Sequence, residues 1–176
     1  MDQEIVAAYL RRISVPRPRT VDPAALSRLH RAHQMAIPFE NLSIHLAEPV
    51  SLDGDDLIHK VVTRRRGGFC YELNGAFALL LRALGAEVVL VAARVYNAGR
   101  LGPPFDHVAL LVHLADGSGP WLADVGFGSH STCPLLFDSR QEQPDPGGRF
   151  LLADAEDGDV DVLREGVRQY RCRGRI

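Results

Sequence analysis

Lysine is almost missing from this chain of 176 residues: Lys60 is the only one among twenty basic residues, and the rest are arginines. Net charge is also small, at −2. The chain as a whole therefore exerts no pull toward nucleic acid or anionic lipid, and whatever it binds must be recognised locally. Few aromatic residues interleave the arginines. The run Arg64-Arg65-Arg66 and the tail Arg168, Arg171, Arg173 and Arg175 accordingly read as solvated surface rather than a nucleic-acid patch. Cysteine is scarce too. Cys70, Cys133 and Cys172 form no CxxC pair and have no close histidine partner, which argues against both a disulfide framework and a structural zinc site. The thiols are expected to be free and no metal is expected. No apolar run reaches the ~18 residues of a membrane span. The opening MDQEIVAAYLRR is acidic and then amphipathic, unlike a signal peptide. A reducing cytoplasm fits these features, with no membrane and no nucleic-acid partner.

Apolar residues make up 46% of the chain, enough for a substantial core. The first half reads as helical. Residues 4–10 carry an apolar face that Pro16 and Pro18 interrupt. Asp22 and Pro23 supply the N-cap and first turn of a second helix with Leu26, Leu29 and Met35 as its apolar residues, ending before Pro38. Asp55-Asp56 opens a third, which runs toward the arginines. After Gly67-Gly68 a strongly apolar helix is predicted over about 71–84, nearly all buried and stopped by Gly85. From Glu87 the pattern turns to strand: VVLVAARVY, HVALLVHL and PWLADV, then 149–153, 160–163 and VRQYRCR, separated by turn signals. The order is α+β, a helical domain over 1–85 followed by an antiparallel sheet or partial barrel over 86–176, with the strands expected as a meander.

Cys70 lies in RGGFCYELNG (66–75), behind a doubled glycine and at the first turn of the apolar helix. A cysteine attacks as the thiolate, which helix N-terminal N–H groups, the helix dipole and a neighbouring imidazolium all favour. A buried structural thiol is the competing reading. Seven histidines could pair with it. His30, His33, His45 and His59 sit on or beside the early helices and read as surface or capping residues. His107 heads the strand HVALLV after the loop GPPFD, where a side chain is aimed into a cleft. His113 shares its phase at the far end, and His130 lies in a loop after Gly128. Asp124 closes the strand WLADV before Gly126-Phe127-Gly128 and is the best candidate for holding the imidazole, although counting register does not choose between His107 and His113.

RGGFCYELNG, together with IPFENLSIH (37–45), FDHVALLV (105–112) and ADVGFGS (123–129), strongly resembles the arylamine N-acetyltransferases. The resemblance implies a cysteine-proteinase-like core and a catalytic triad of Cys70 as acylated nucleophile, His107 as base and Asp124 as the group holding it, with a thiolate–imidazolium pair at rest. It implies ping-pong transfer from acetyl-CoA to an arylamine, arylhydrazine or N-hydroxyarylamine. Phe39 and Phe127 would line the acceptor pocket, Gly126 and Gly128 would pass near the pantetheine arm of coenzyme A, and Glu40 and Arg66 would form a structural ion pair. Members of the family carry a further α/β lid after the barrel. This sequence stops at Ile176, so the lid is expected to be absent and an uncovered barrel face could favour a homodimer. Three other readings accompany this one: a related amide synthase of secondary metabolism, a hydrolase of the papain or transglutaminase type, although neither of those two families presents RGGFCYELN, and a truncated, poorly active binding module.

Overall fold

The computed structural model describes residues 1–128 and 131–173; His130, Ser129 and Arg175 therefore lie outside the described residues. Helix α1 (Gln3–Arg12) is capped by the Asp2 carboxylate and buries Val6, Tyr9 and Leu10. Helix α2 (Pro23–Ala36) starts as expected, with the Asp22 side chain accepting from Ala25 N at 2.7 Å and Pro23 in its first turn. A short α3 (Leu42–His45) follows, which no periodicity had marked. Next come α4 (Gly54–Ile58), continued by a π-helical turn over His59–Thr63, and α5 (Cys70–Ala83). Helix α5 is buried on nearly every side, and Gly85 at φ +94° ends it, a conformation that costs glycine little.

The strands are β1 (Glu87–Asn97), β2 (Arg100–Leu101), β3 (His107–His113), β4 (Trp121–Ala123), β5 (Leu135–Leu136), β6 (Gln143–Asp145), β7 (Gly148–Asp154), β8 (Val160–Arg164) and β9 (Val167–Cys172). The expected meander needs correction. The sheet order is β5-β4-β3-β1-β9-β8-β7-β6, with β2 paired to β1, so the last strand returns to the first. Two meanders are joined through β1 and β9, where Ala93 faces Cys172 and Val95 faces Tyr170. The free edges β5 and β6 are then drawn together by side chains. Gln143 accepts from Leu136 N at 2.7 Å and donates to Leu136 O at 3.0 Å, imitating a peptide group, and Asp145 accepts from Thr132 N and Cys133 N at 2.8 Å. The result is a nearly closed antiparallel barrel.

Two apolar cores result. One joins α1, α2 and α5 to the outer face of the barrel through Val88, Leu110, Val112 and Ala123. The other fills the barrel with Val91, Leu122, Phe150, Leu152, Val162 and Tyr170. Helix α5 packs on β3 and β1, and that contact brings the helix start carrying Cys70 against the head of β3.

Candidate active site

Two sequence blocks build the platform under Cys70. Glu40 N donates to Gly68 O at 2.9 Å and Gly68 N to Pro38 O at 3.3 Å, so the PFEN segment pairs with the glycine turn. A Cβ at position 67 would lie 2.0 Å from Pro38 O, which restricts that position to glycine. Arg66 Nε donates to Glu40 Oε1 at 3.1 Å, and a second nitrogen approaches Glu48 at 3.4 Å, so the expected Glu40–Arg66 ion pair is present. Cys70 is the first helical residue of α5. The preceding Phe69 has no side chain that can accept a hydrogen bond, so Glu72 reaches back to Phe69 N at 3.1 Å. Glu72 also binds Lys60 Nζ at 2.7 Å. The chain's only lysine is thus spent on a largely buried ion pair beneath the nucleophile.

Register decides between the histidines. Ala123 of β4 stands opposite Leu110 of β3 and Trp121 opposite Val112, so Asp124 continues toward His107 and away from the exposed His113. His107 Nε2 lies 2.7 Å from Asp124 Oδ2, and both residues are buried. With Nε2 engaged by Asp124, Nδ1 is the ring nitrogen left for Cys70, whose side chain also acts on the imidazole. Burial pushes the His107 pKa down. The charge of Asp124 and its hydrogen bond outweigh burial, the Cys70 sulfur adds to them, and the pKa is raised to about 10. That balance favours the protonated imidazolium at neutral pH.

Several supporting residues escaped the sequence reading. Asn74 lies one turn beyond Cys70 on the same face of α5. It donates to Asp124 Oδ1 at 2.9 Å and to Val108 O at 2.7 Å, and accepts from Val125 N at 3.0 Å. Gly126 N adds a bond to Asp124 Oδ1 at 3.0 Å. Tyr170, fully buried on β9, hydrogen-bonds Asp124 and rests its ring 5.1 Å from that of His107. The i, i+4 spacing of Cys70 and Asn74 was available as a signal. For Tyr170 there was only its place in an alternating strand.

His30 and His33 are not surface residues: both are 0% exposed. They share the helical stripe of Leu26 and Leu29, whereas Met35 falls off that stripe and is 81% exposed, contrary to its expected place among the buried apolar residues. His45 and His59 are exposed as expected. Phe127 packs its ring 5.1 Å from both His107 and Tyr170. Phe39 is half exposed and lines a small cleft with Gln34, Ile37, Asp124, Val125 and Gly128. Gly126 is buried against α5, where a Cβ would meet Cys70 Cα at 2.7 Å. Gly128 is exposed at φ +87° with open space around it.

Comparison with known proteins agrees with this geometry. The arylamine N-acetyltransferase / N-hydroxyarylamine O-acetyltransferase of Salmonella typhimurium is 42% identical over 73% of this chain and 46% of its own length. The arylamine N-acetyltransferase of Escherichia coli is 38% identical over 94% of this chain and 58% of its own. This chain thus spans about half the length of those relatives. Mycobacterium marinum arylamine N-acetyltransferase, solved in complex with CoA, superposes with a TM-score of 0.86 at 34% identity, covering 96% of this chain and 66% of that one. The N-acetyltransferase family matches residues 22–172, essentially the whole of α2 through β9, and the chain belongs to that family.

Proposed function

We propose that the protein transfers an acetyl group from acetyl-CoA to an arylamine, arylhydrazine or N-hydroxyarylamine through a thioester on Cys70. The observation that carries this reading is the buried His107–Asp124 pair, joined at 2.7 Å, beside the buried Cys70 at the start of α5. In the first half-reaction the Cys70 thiolate bonds to the acetyl carbonyl carbon and the carbon–sulfur bond to coenzyme A breaks. The His107 imidazolium gives its Nδ1 proton to the departing sulfur. In the second, the amine nitrogen attacks the acetyl-Cys70 carbonyl, His107 takes the proton from nitrogen, and Cys70 leaves as thiolate. Both sulfur esters are of similar energy, so the first half-reaction needs no further driving force. Asp124 holds the ring and compensates its positive charge, while Asn74, Gly126 and Tyr170 keep that carboxylate in place.

Phe39 and Phe127 are the aromatic walls for the acceptor ring. Gly126 and Gly128 are placed beside the pantetheine arm of coenzyme A; the M. marinum relative has been solved in complex with CoA. Three free cysteines support a reducing compartment, and we place the protein in the cytoplasm. The test is kinetic. Initial rates measured against acetyl-CoA at several fixed arylamine concentrations are expected to give parallel double-reciprocal lines. Intersecting lines, meaning direct transfer in a ternary complex, would sink the covalent route.

A further inference from the structure

The ladder between β3 and β4 stops at Ala123, and Asp124 begins the glycine-containing segment 124–128. Its main-chain polar groups go instead to α2. Asp124 N donates to His30 Nε2 at 3.0 Å, and His30 Nδ1 lies 3.0 Å from Thr132 O, eight residues further along the chain. One turn along the helix, Gln34 Nε2 donates to Ser131 O at 2.9 Å and to Asp124 O at 3.3 Å. An amide N–H can only donate and a carbonyl can only accept. The His30 ring is therefore the neutral tautomer with its proton on Nδ1 and its lone pair on Nε2. Helix α2 is itself immobilised, by the Asp22 cap and by Leu26 and Leu29 at 0% exposure.

From these contacts we infer that His30 and Gln34 are positioning residues for the proposed acetyl transfer. They tie Asp124 on one side and Ser131 and Thr132 on the other to α2, and so hold Asp124 in register with His107. The inference rests on the triad reading above and adds to it a second anchor, independent of the bonds made to the carboxylate itself. Those bonds set the carboxylate's direction, whereas the clamp sets where its Cα stands. Glycine at 126 and 128 gives the loop wide conformational freedom when unheld. Loss of the clamp should therefore loosen the His107–Asp124 bond without abolishing the fold.

The test follows iodoacetamide alkylation of the Cys70 peptide by mass spectrometry from pH 5.5 to 9. It compares the unaltered protein, Asp124→Asn, Gln34→Leu and His30→Phe, each rate being taken on protein that remains folded by near-UV circular dichroism. Asp124→Asn should alkylate more slowly than the unaltered protein on the acid side of the profile, because it removes the carboxylate that holds the His107 imidazolium. Gln34→Leu and His30→Phe should each slow the pH 6 rate about fivefold or more while changing the pH 9 rate little. A residue serving stability alone would lower the melting temperature and leave this profile unmoved, and that result overturns the inference. Gln34→Leu keeps the test open if His30→Phe fails to fold, because it removes only donors from a half-buried side chain. Equal profiles for the unaltered protein and Asp124→Asn would instead refute the triad reading, and the clamp would fall with it.

Discussion

Adding one methyl group at Gly126 is expected to damage the site more than its size suggests. The Cβ of Gly126→Ala would stand 2.7 Å from Cys70 Cα, 2.8 Å from Asn74 Nδ2 and 3.0 Å from Cys70 O. Two of those three atoms belong to the main chain of the first turn of α5 and cannot rotate away. Carbon atoms rest at about 3.5–4.0 Å, so the loop and the helix must part by roughly 1 Å. Gly126 has no left-handed φ, so the whole effect is contact. Overpacking of this kind costs about 1–3 kcal/mol of stability. Because Asp124 accepts from Gly126 N at 3.0 Å, the displacement passes directly to the group that holds His107. A 1 Å misplacement lowers the rate of a positioned reaction by about 100-fold. The assay is single-turnover acetylation of Cys70 by acetyl-CoA beside urea unfolding. Gly99→Ala is the control: its φ is +82° with nothing within 4 Å of an added Cβ, so it should lose about 1 kcal/mol of stability and no acetylation rate. A Gly126→Ala protein that acetylates at the unaltered rate would refute the close approach as a determinant of the site.

Two further outcomes are expected. Lys60→Met strands the Glu72 carboxylate, whose side chain is 3% exposed, and should cost about 3 kcal/mol in urea unfolding; a loss under about 1 kcal/mol would show the pair to be dispensable. Stability should peak near neutral pH. Burial, reinforced by neighbouring charges, holds His33 neutral down to about 3, and burial lowers the His30 pKa too. Between pH 6.5 and 3 the unfolded chain therefore binds a proton that folded His33 refuses, and stability falls with acid by up to about 1.4 kcal/mol per pH unit, with His30 acting in the same direction below pH 6.5. His107 acts in the opposite sense. Its contribution is complete below pH 6.5 and is lost as pH rises toward about 10. Urea midpoints measured from pH 4 to 9 test both limbs, and a midpoint that climbs steadily to pH 9 would contradict the His107 assignment.

Much of this molecule was legible in its residues where a single local rule governs. Asp22 and Pro23 mark the start of α2, and the glycine pair marks the approach to α5. Cys70, His107 and Asp124 each stand at an element terminus, and family resemblance named all three. What stayed hidden depends on distant partners. His30 and His33 looked like surface histidines because polarity was weighed above position, although they fall on the Leu26 and Leu29 stripe. The choice of His107 over His113 required the β3–β4 register, which turn composition alone does not determine. Strands β5 and β6, two and three residues long, owe their place to Gln143 and Asp145 side chains and carry no periodicity of their own. The central pair β1 and β9 joins segments at opposite ends of the sheet-forming half, a pairing that no local pattern announces.

The central claim is that Cys70 carries the acetyl group, and peptide mass spectrometry after brief exposure to acetyl-CoA tests it most directly. The account expects one acetyl group on the Cys70 peptide, none on Cys133 or Cys172, its loss on addition of an arylamine, and no label in Cys70→Ala. A protein that stays unlabelled, or that acetylates the amine while Cys70→Ala does the same, would contradict it.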